Sequence, residues 1–205
     1  IPGENALNIM SSNEYLTRVN LMDAANPHTD TPINLGKKVV VVGGGNTAMD
    51  SCRTAKRLGA EVTLVYRRSE AEMPARLEEV KHAKEEGINF MTLHNPKEYE
   101  ADEKGAVKSV VLDVMQLGEP DASGRRRPEA TGETVTLECD QVIVAVGVSP
   151  NPLVPKSIEG LELGRKNTIA VNEQMQSSIK EIYAGGDIVR GGATVILAMG
   201  DGRKA

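Results

Sequence analysis

The stretch Val39–Arg68, VVVVGGGNTAMDSCRTAKRLGAEVTLVYRR, decides the fold. A strand from Lys38 to Val42 is an unbroken valine run closed by three glycines, the pattern of a strand buried on both faces. Asn46–Leu58 then places Ala48, Cys52, Ala55 and Leu58 on one helical stripe, with Gly59 at its C-terminal end. Glu61–Tyr66 returns to strand type. Strand, helix and strand in this order imply a right-handed crossover between parallel neighbours.

The turn between the first strand and the helix, Gly43-Gly44-Gly45-Asn46-Thr47-Ala48, fits G-x-G-x-x-A. Gly43 permits the tight turn, Gly45 lets the backbone approach a pyrophosphate, and Ala48 lets helix and strand pack closely. The helix N-terminus adds free N–H groups and a positive dipole end. A P-loop is excluded because no Gly-Lys-Ser/Thr follows the glycines. Gly43–Thr47 therefore read as a dinucleotide loop, with Asn46 facing the cofactor and Asp50 complementing the helix dipole. The second strand ends at Arg67-Arg68, where NAD-preferring sites carry an acid that accepts from the ribose hydroxyls. An arginine pair there matches a 2′-phosphate with guanidinium forks, so the expected ligand is NADP(H). Arg76 is either a third cation or a helix-surface residue.

Outward from this core the patterns change. SSNEYLTRVNLM reads as a short helix capped by Ser11 or Ser12, and ANPHTDTPINLG as linker. Met73–Glu86 reads as a second helix with Pro74 in its first turn and a stripe of Leu77, Val80 and Ala83. Ile88–Leu93 reads as a third strand. Ala106–Leu117 and Glu133–Leu137 are strand runs flanking a polar loop that holds Arg125, Arg126 and Arg127, an antiparallel meander with a solvated tip. Gln141–Val148 is a further buried strand. IYAGGD and a small-residue helix close the sequence.

The bulk numbers narrow the class. The net charge is −5 over 205 residues, which argues against a nucleic-acid surface or an anionic-membrane surface. Cys52 and Cys139 lie far apart with no zinc or CxxC spacing, and His28, His82 and His94 show no ligand spacing, so no metal site is expected. No apolar run is long enough to span a bilayer and no signal peptide is evident, so a reducing, cytoplasmic setting is expected.

Side chains for self-contained dehydrogenase chemistry are missing. Four positions after Tyr15, Tyr66, Tyr99 and Tyr183 stand Val19, Glu70, Glu103 and Asp187, never a lysine. The hydride partner is therefore expected to be a second cofactor, and no catalytic side chain is assigned.

Five stretches bear on that cofactor: IPGE, GGGNTAMD, VYRRSEAEMPAR, AVGVSPNP and AGGDIVRGGATVILAMGDGRKA. Together they cover most of the chain, which resembles the small (beta) subunit of glutamate synthase and its relatives. Those relatives are the ferredoxin-linked NADPH transhydrogenase large subunit and the reductase region of dihydropyrimidine dehydrogenase. The resemblance implies an NADP(H) domain inserted into an FAD domain. Residues 1–30 would be a linker or FAD-domain remnant, 31–148 the Rossmann-like domain with its added meander, and 149–205 the C-terminal part of the FAD domain.

It also implies FAD contacts at Val146, Gly147, Gly186, Asp187, Thr194 and Val195. Hydride would pass from NADPH to FAD, and electrons onward to an iron–sulfur or ferredoxin-type acceptor or a large subunit. The family's first FAD loop and cluster cysteines do not occur in the sequence, so it is expected to be a piece of a longer protein that does not itself retain FAD. Its exposed remnant faces would then favour self-association. The alternative class is a nucleotide-binding module without turnover.

Overall fold

β2 (Lys38–Val42) shows why the valine run is unbroken. In the computed structural model, which describes residues 1–120, 124 and 126–205, Val39 and Val41 belong to one core and Val40 and Val42 to another. Period-two side-chain geometry on a sandwiched strand demands this division. The first core is filled by helices: Tyr15 of α1 (Ser12–Leu16), Ala48, Met49, Cys52 and Ala55 of α2 (Asn46–Arg57), and Val80 and Ala83 of α3 (Leu77–Glu85). The second is filled by Tyr99, Val107, Val110 and Leu112 of an antiparallel sheet. Val41 is 0% exposed, so its truncation to Ala would cost about 2 kcal/mol.

The parallel sheet runs β1-β8-β2-β3-β4, from β1 (Ile9–Ser11), β3 (Glu61–Tyr66), β4 (Asn89–Thr92) and β8 (Gln141–Val144). The antiparallel sheet is β5 (His94–Ala101), β6 (Val107–Pro120) and β7 (Arg126–Glu138) in that order. The fold is the expected one: a Rossmann-like parallel sheet with crossover helices and an added antiparallel meander.

Leu93 joins the two sheets at φ +56°, an uncommon conformation for a branched residue. Two backbone bonds hold it there: its N–H donates to Arg68 O at 3.0 Å, and its carbonyl accepts from Met115 N at 2.7 Å.

Several boundaries differ from those read in the sequence. α3 begins at Leu77 rather than Met73, because the amides of Ala75 and Arg76 bond outside the helix, to the glycine loop. Leu77 is consequently 83% exposed instead of lining the stripe. β5 was not expected. The meander strands run on to Pro120 and from Arg126, so the polar tip is shorter, and Arg125 of the arginine run lies outside the described residues. Arg126 donates to the carbonyls of Gly118 and Leu117 across the hairpin. β8 stops at Val144, where Ala145 N–H turns to Val42 O.

The chain divides into two units, Ile1–Val146 and Gly147–Ala205. Residues 1–30, read above as a linker or FAD-domain remnant, fall in the first. Ile9–Ser11 pairs in parallel with Val142–Val144, and Tyr15 is 1% exposed within the helix-side core. The second unit is built from short pieces: α4 (Leu153–Ser157), α5 (Asp187–Arg190), α6 (Val195–Gly202) and bridges Leu163–Ile169 and Gln176–Tyr183.

Candidate dinucleotide-binding site

The three glycines after β2 are needed for different reasons. Gly43 has φ +139°, and a Cβ there would lie 2.3 Å from the Ala145 carbonyl oxygen. A Cβ on Gly44 would meet the Tyr66 ring at 2.7 Å. Gly45 has no atom within 4 Å of its Cβ position and an ordinary φ of −92°. The first two are fixed by the protein's own packing. The third borders open space at the point where α2 begins.

Gly45 is the N-cap of α2, and no side chain caps it. Its carbonyl accepts from Ala48 and Met49, leaving the first-turn amides of Asn46 and Thr47, both exposed, as the orphan donors of a helix N-terminus. Ala48, 0% exposed, provides the close helix–strand contact. Asp50, one turn on, has its carboxyl pushed upward by burial and then by Glu79.

At the end of β3 the two arginines part company. Arg67 is exposed, whereas Arg68 is 8% exposed and its buried Nε has no hydrogen-bond partner. Read from the sequence both serve the same phosphate, whereas successive strand side chains point to opposite faces.

From there Ser69–Arg76 forms an arch back to the glycine loop. Ser69 and Glu72 make a reciprocal capping box, and Tyr66 Oη donates to Glu72 O at 2.9 Å. Ala75 N–H donates to Gly44 O at 3.0 Å, and Arg76 N–H to Asn46 Oδ1 at 2.9 Å. Behind the arch, Arg53 bonds Glu79 at 2.6 Å and Glu86 at 2.9 Å, tying α3 to α2. The Asn46 oxygen, read as facing the cofactor, is thus engaged with the arch, a tertiary contact with no local sequence mark.

The residues assigned to flavin fall on both sides of the unit boundary. Val146, 71% exposed, ends the first unit, and Gly147, at φ +95°, begins the second. Within the second unit Gly186 has φ +72° and donates its N–H to Asp201 Oδ2 at 2.9 Å. Asp187 opens α5 and accepts from Ala193 N–H at 3.1 Å. Thr194 caps α6, its Oγ1 accepting from Leu197 N–H at 3.4 Å, and Val195 is 75% exposed.

Asp201, which sequence reasoning missed, holds this turn together. It is 1% exposed, bonds Arg190 Nε at 2.7 Å, and touches where a Gly185 Cβ would stand. The Arg190 hydrogen bonds, followed by the Gly186 amide, hold its carboxyl down to about 2. An acid closing an otherwise apolar helix was the available clue.

Both cysteines are buried free thiols in different cores, Cys52 facing the helices and Cys139 the antiparallel sheet. Burial pushes Cys139 up to about 12 and Cys52 higher still, so neither is a thiolate nucleophile near neutral pH. Among the described residues no group of His, Cys, Asp and Glu is arranged to hold a metal, and no helix is long and apolar enough to cross a membrane.

The family model for pyridine nucleotide-disulphide oxidoreductases matches residues 1–202. The chain belongs to that family. Among curated members it is 43% identical over 83% of its length to the glutamate synthase [NADPH] small chain of Escherichia coli K12, covering 37% of that protein. It is 37% identical over 100% of its length to the Halomonas elongata small chain, covering 44% of it.

Against the NADP(+)-dependent formate dehydrogenase subunit beta of Moorella thermoacetica it is 46% identical over 83% of its length, covering 24%. The chain thus spans less than half of each of these relatives. The resemblance to the glutamate synthase small-subunit group is borne out. Among solved structures, T. acidophilum thioredoxin reductase aligns with TM-score 0.68 at 25% identity, covering 82% of this chain and 50% of that one. Mycobacterium tuberculosis FprA in complex with NADPH shares the fold, with TM-score 0.75 at 21% identity, covering 100% and 58%.

Proposed function

We propose that this family member carries the NADP(H) site and part of the FAD site of a flavin oxidoreductase of the glutamate synthase small-subunit type. The observation that carries the reading is Gly45: open space at its Cβ position, at the uncapped N-terminus of a 12-residue helix, suits the close approach of a pyrophosphate. Exposed Arg67 at the end of β3 suits a 2′-phosphate, and buried Arg68, with its unpaired Nε, backs it. NADPH in several relatives' names supports the same ligand.

When bound, NADPH supplies a hydride and FAD accepts it, for onward delivery to an iron–sulfur or ferredoxin-type acceptor or a large subunit. The chain's own contribution is binding and orientation, and no side-chain acid or base is assigned. Gly43–Thr47 fix the pyrophosphate end and Arg67 the adenosine end. Val146, Gly147, Gly186, Asp187, Thr194 and Val195 contribute one side of the flavin site. Asp187 and Thr194 already spend side-chain oxygens on Ala193 and Leu197. Because the family's first FAD loop does not occur in this sequence, the chain alone is expected to bind NADPH and to retain no FAD.

Titration of the chain with NADPH and NADH tests this reading. NADPH should bind at least about tenfold more tightly, and Arg67→Ala should remove about 1–2 kcal/mol from NADPH alone. Equal affinities in the unsubstituted chain sink the 2′-phosphate role. A yellow purified chain, its flavin visible by absorbance, refutes the statement about FAD.

A further inference from the structure

Tyr66, the last residue of β3, is half-buried and packs against the helix-side core. Its ring lies on the second glycine of the loop: a Cβ on Gly44 would stand 2.7 Å from two ring carbons and 3.1 Å from a third. Its hydroxyl donates to Glu72 O at 2.9 Å, in the arch. The residue before it, Val65, accepts the Gly43 N–H on its carbonyl at 3.0 Å. The end of β3 thus holds the first glycine through the backbone and the second through an aromatic face.

Beyond Glu72 the arch returns to the loop at Ala75, whose N–H donates to Gly44 O at 3.0 Å. Gly44 is therefore held twice, by the ring against its Cα and by the arch at its carbonyl. The Gly44–Gly45 peptide is trans, and in a trans peptide the C=O and the N–H point in opposite directions. A carbonyl fixed on the arch accordingly sends the Gly45 N–H away from it. The reverse orientation, with the Gly44 carbonyl turned outward, would set an oxygen against an incoming phosphate. Glycine on both sides of the peptide removes the usual Cβ barrier to that flip. The side chain that blocks it then decides what fraction of the loops is ready to bind.

We propose that Tyr66 is a positioning residue for the pyrophosphate: its ring and hydroxyl together hold the Gly44–Gly45 peptide in the binding orientation. It acts through that peptide and does not touch the cofactor. This rests on the dinucleotide reading above. NADPH and NADH carry the same pyrophosphate, so Tyr66 governs the affinity for both and leaves the choice between them alone.

Titrations of the chain and two variants with NADPH and with NADH test this, together with the backbone amide resonances of the unliganded proteins. Tyr66→Leu removes ring and hydroxyl. With about a tenth of the loops left in the binding orientation, it should weaken both dinucleotides about tenfold and keep their ratio. Tyr66→Phe keeps the ring and loses one hydrogen bond, and should restore both affinities to within about threefold of the parent. In Tyr66→Leu the Gly44 and Gly45 amide resonances should shift or broaden, while those of Val39–Val42 and Ala48–Ala55 stay in place.

Unchanged affinities in Tyr66→Leu, with the parent chain binding both dinucleotides, overturn the role of Tyr66 alone. A loss confined to NADPH also overturns it, in favour of an action on the 2′-phosphate end. Failure of Tyr66→Phe to rescue, or resonance changes spread through β2 and α2, overturns it in favour of general packing. Should Tyr66→Leu not fold, Tyr66→Phe decides: a loss of about two- to threefold for both dinucleotides, with movement of the Gly44 and Gly45 amides, supports the proposal. No change in either refutes it. A parent chain that binds neither dinucleotide removes the dinucleotide reading itself, and the proposal with it.

Discussion

At Gly43–Gly45 the chain leaves a strand for a 12-residue helix that no side chain caps, with open space at the last glycine. At Gly185–Asp187 nearby amides are satisfied from within: Gly186 by Asp201, Ala193 by Asp187 and Leu197 by Thr194. Both turns are glycine-rich and precede a helix, yet only in the second do side chains of the turn's own unit, Asp201, Asp187 and Thr194, take up amides close by in the chain. What separates the two turns is therefore where the hydrogen bonds go, more than the glycine count.

Substitutions at the glycines should break this comparison most sharply. Gly43→Ala forces a Cβ within 2.3 Å of a backbone oxygen at φ +139°, and should cost about 4 kcal/mol by denaturant titration. Gly45→Ala, two residues away, should change stability by less than about 0.5 kcal/mol yet weaken NADPH at least about tenfold. If both substitutions alter stability equally, the division between packed and open glycines is wrong.

The second turn should respond to acid where the first does not. The Arg190 hydrogen bonds hold the Asp201 carboxyl down to about 2 from an ordinary 3.8. A carboxyl depressed on folding contributes stability above its unfolded value and loses it as pH falls through the folded one. The stability of the second unit should accordingly fall as pH drops from 3.8 to about 2, read as a lower melting temperature, and Asp201→Asn should remove that dependence. The smallest effect belongs to Thr194→Ala, whose 3.4 Å cap bond predicts a loss of about 0.5 kcal/mol, read as a small drop in melting temperature.

The parts of the molecule legible in its sequence were those specified locally. The valine run, the α2 stripe and the loop glycines each announce themselves within a few residues, and β2 and β3 begin and end where expected. Features set by distant partners did not. α3 starts late because the Ala75 and Arg76 amides serve Gly44 and Asn46, some 30 residues earlier. β5 carries Pro96 and alternates poorly, and only its pairing with β6 makes it a strand. Asp201 has its partners 11 and 15 residues upstream. Of the site, the glycines were readable, whereas the unequal burial of Arg67 and Arg68 and the capture of Asn46 needed the tertiary fold.

The sheet order β1-β8-β2-β3-β4 also governs how the molecule is made. β1 leaves the ribosome before the glycine loop, but its pairing partner, Val142–Val144, is synthesised after the loop, α3 and the whole meander. Until then β2 and β3 can pair while a gap stands beside β2, and β1 waits with Tyr15 uncovered. Of the five strands of this sheet the last in chain order, β8, is the one that fills the breach, so the sheet stays open to mispairing until Val144 has emerged.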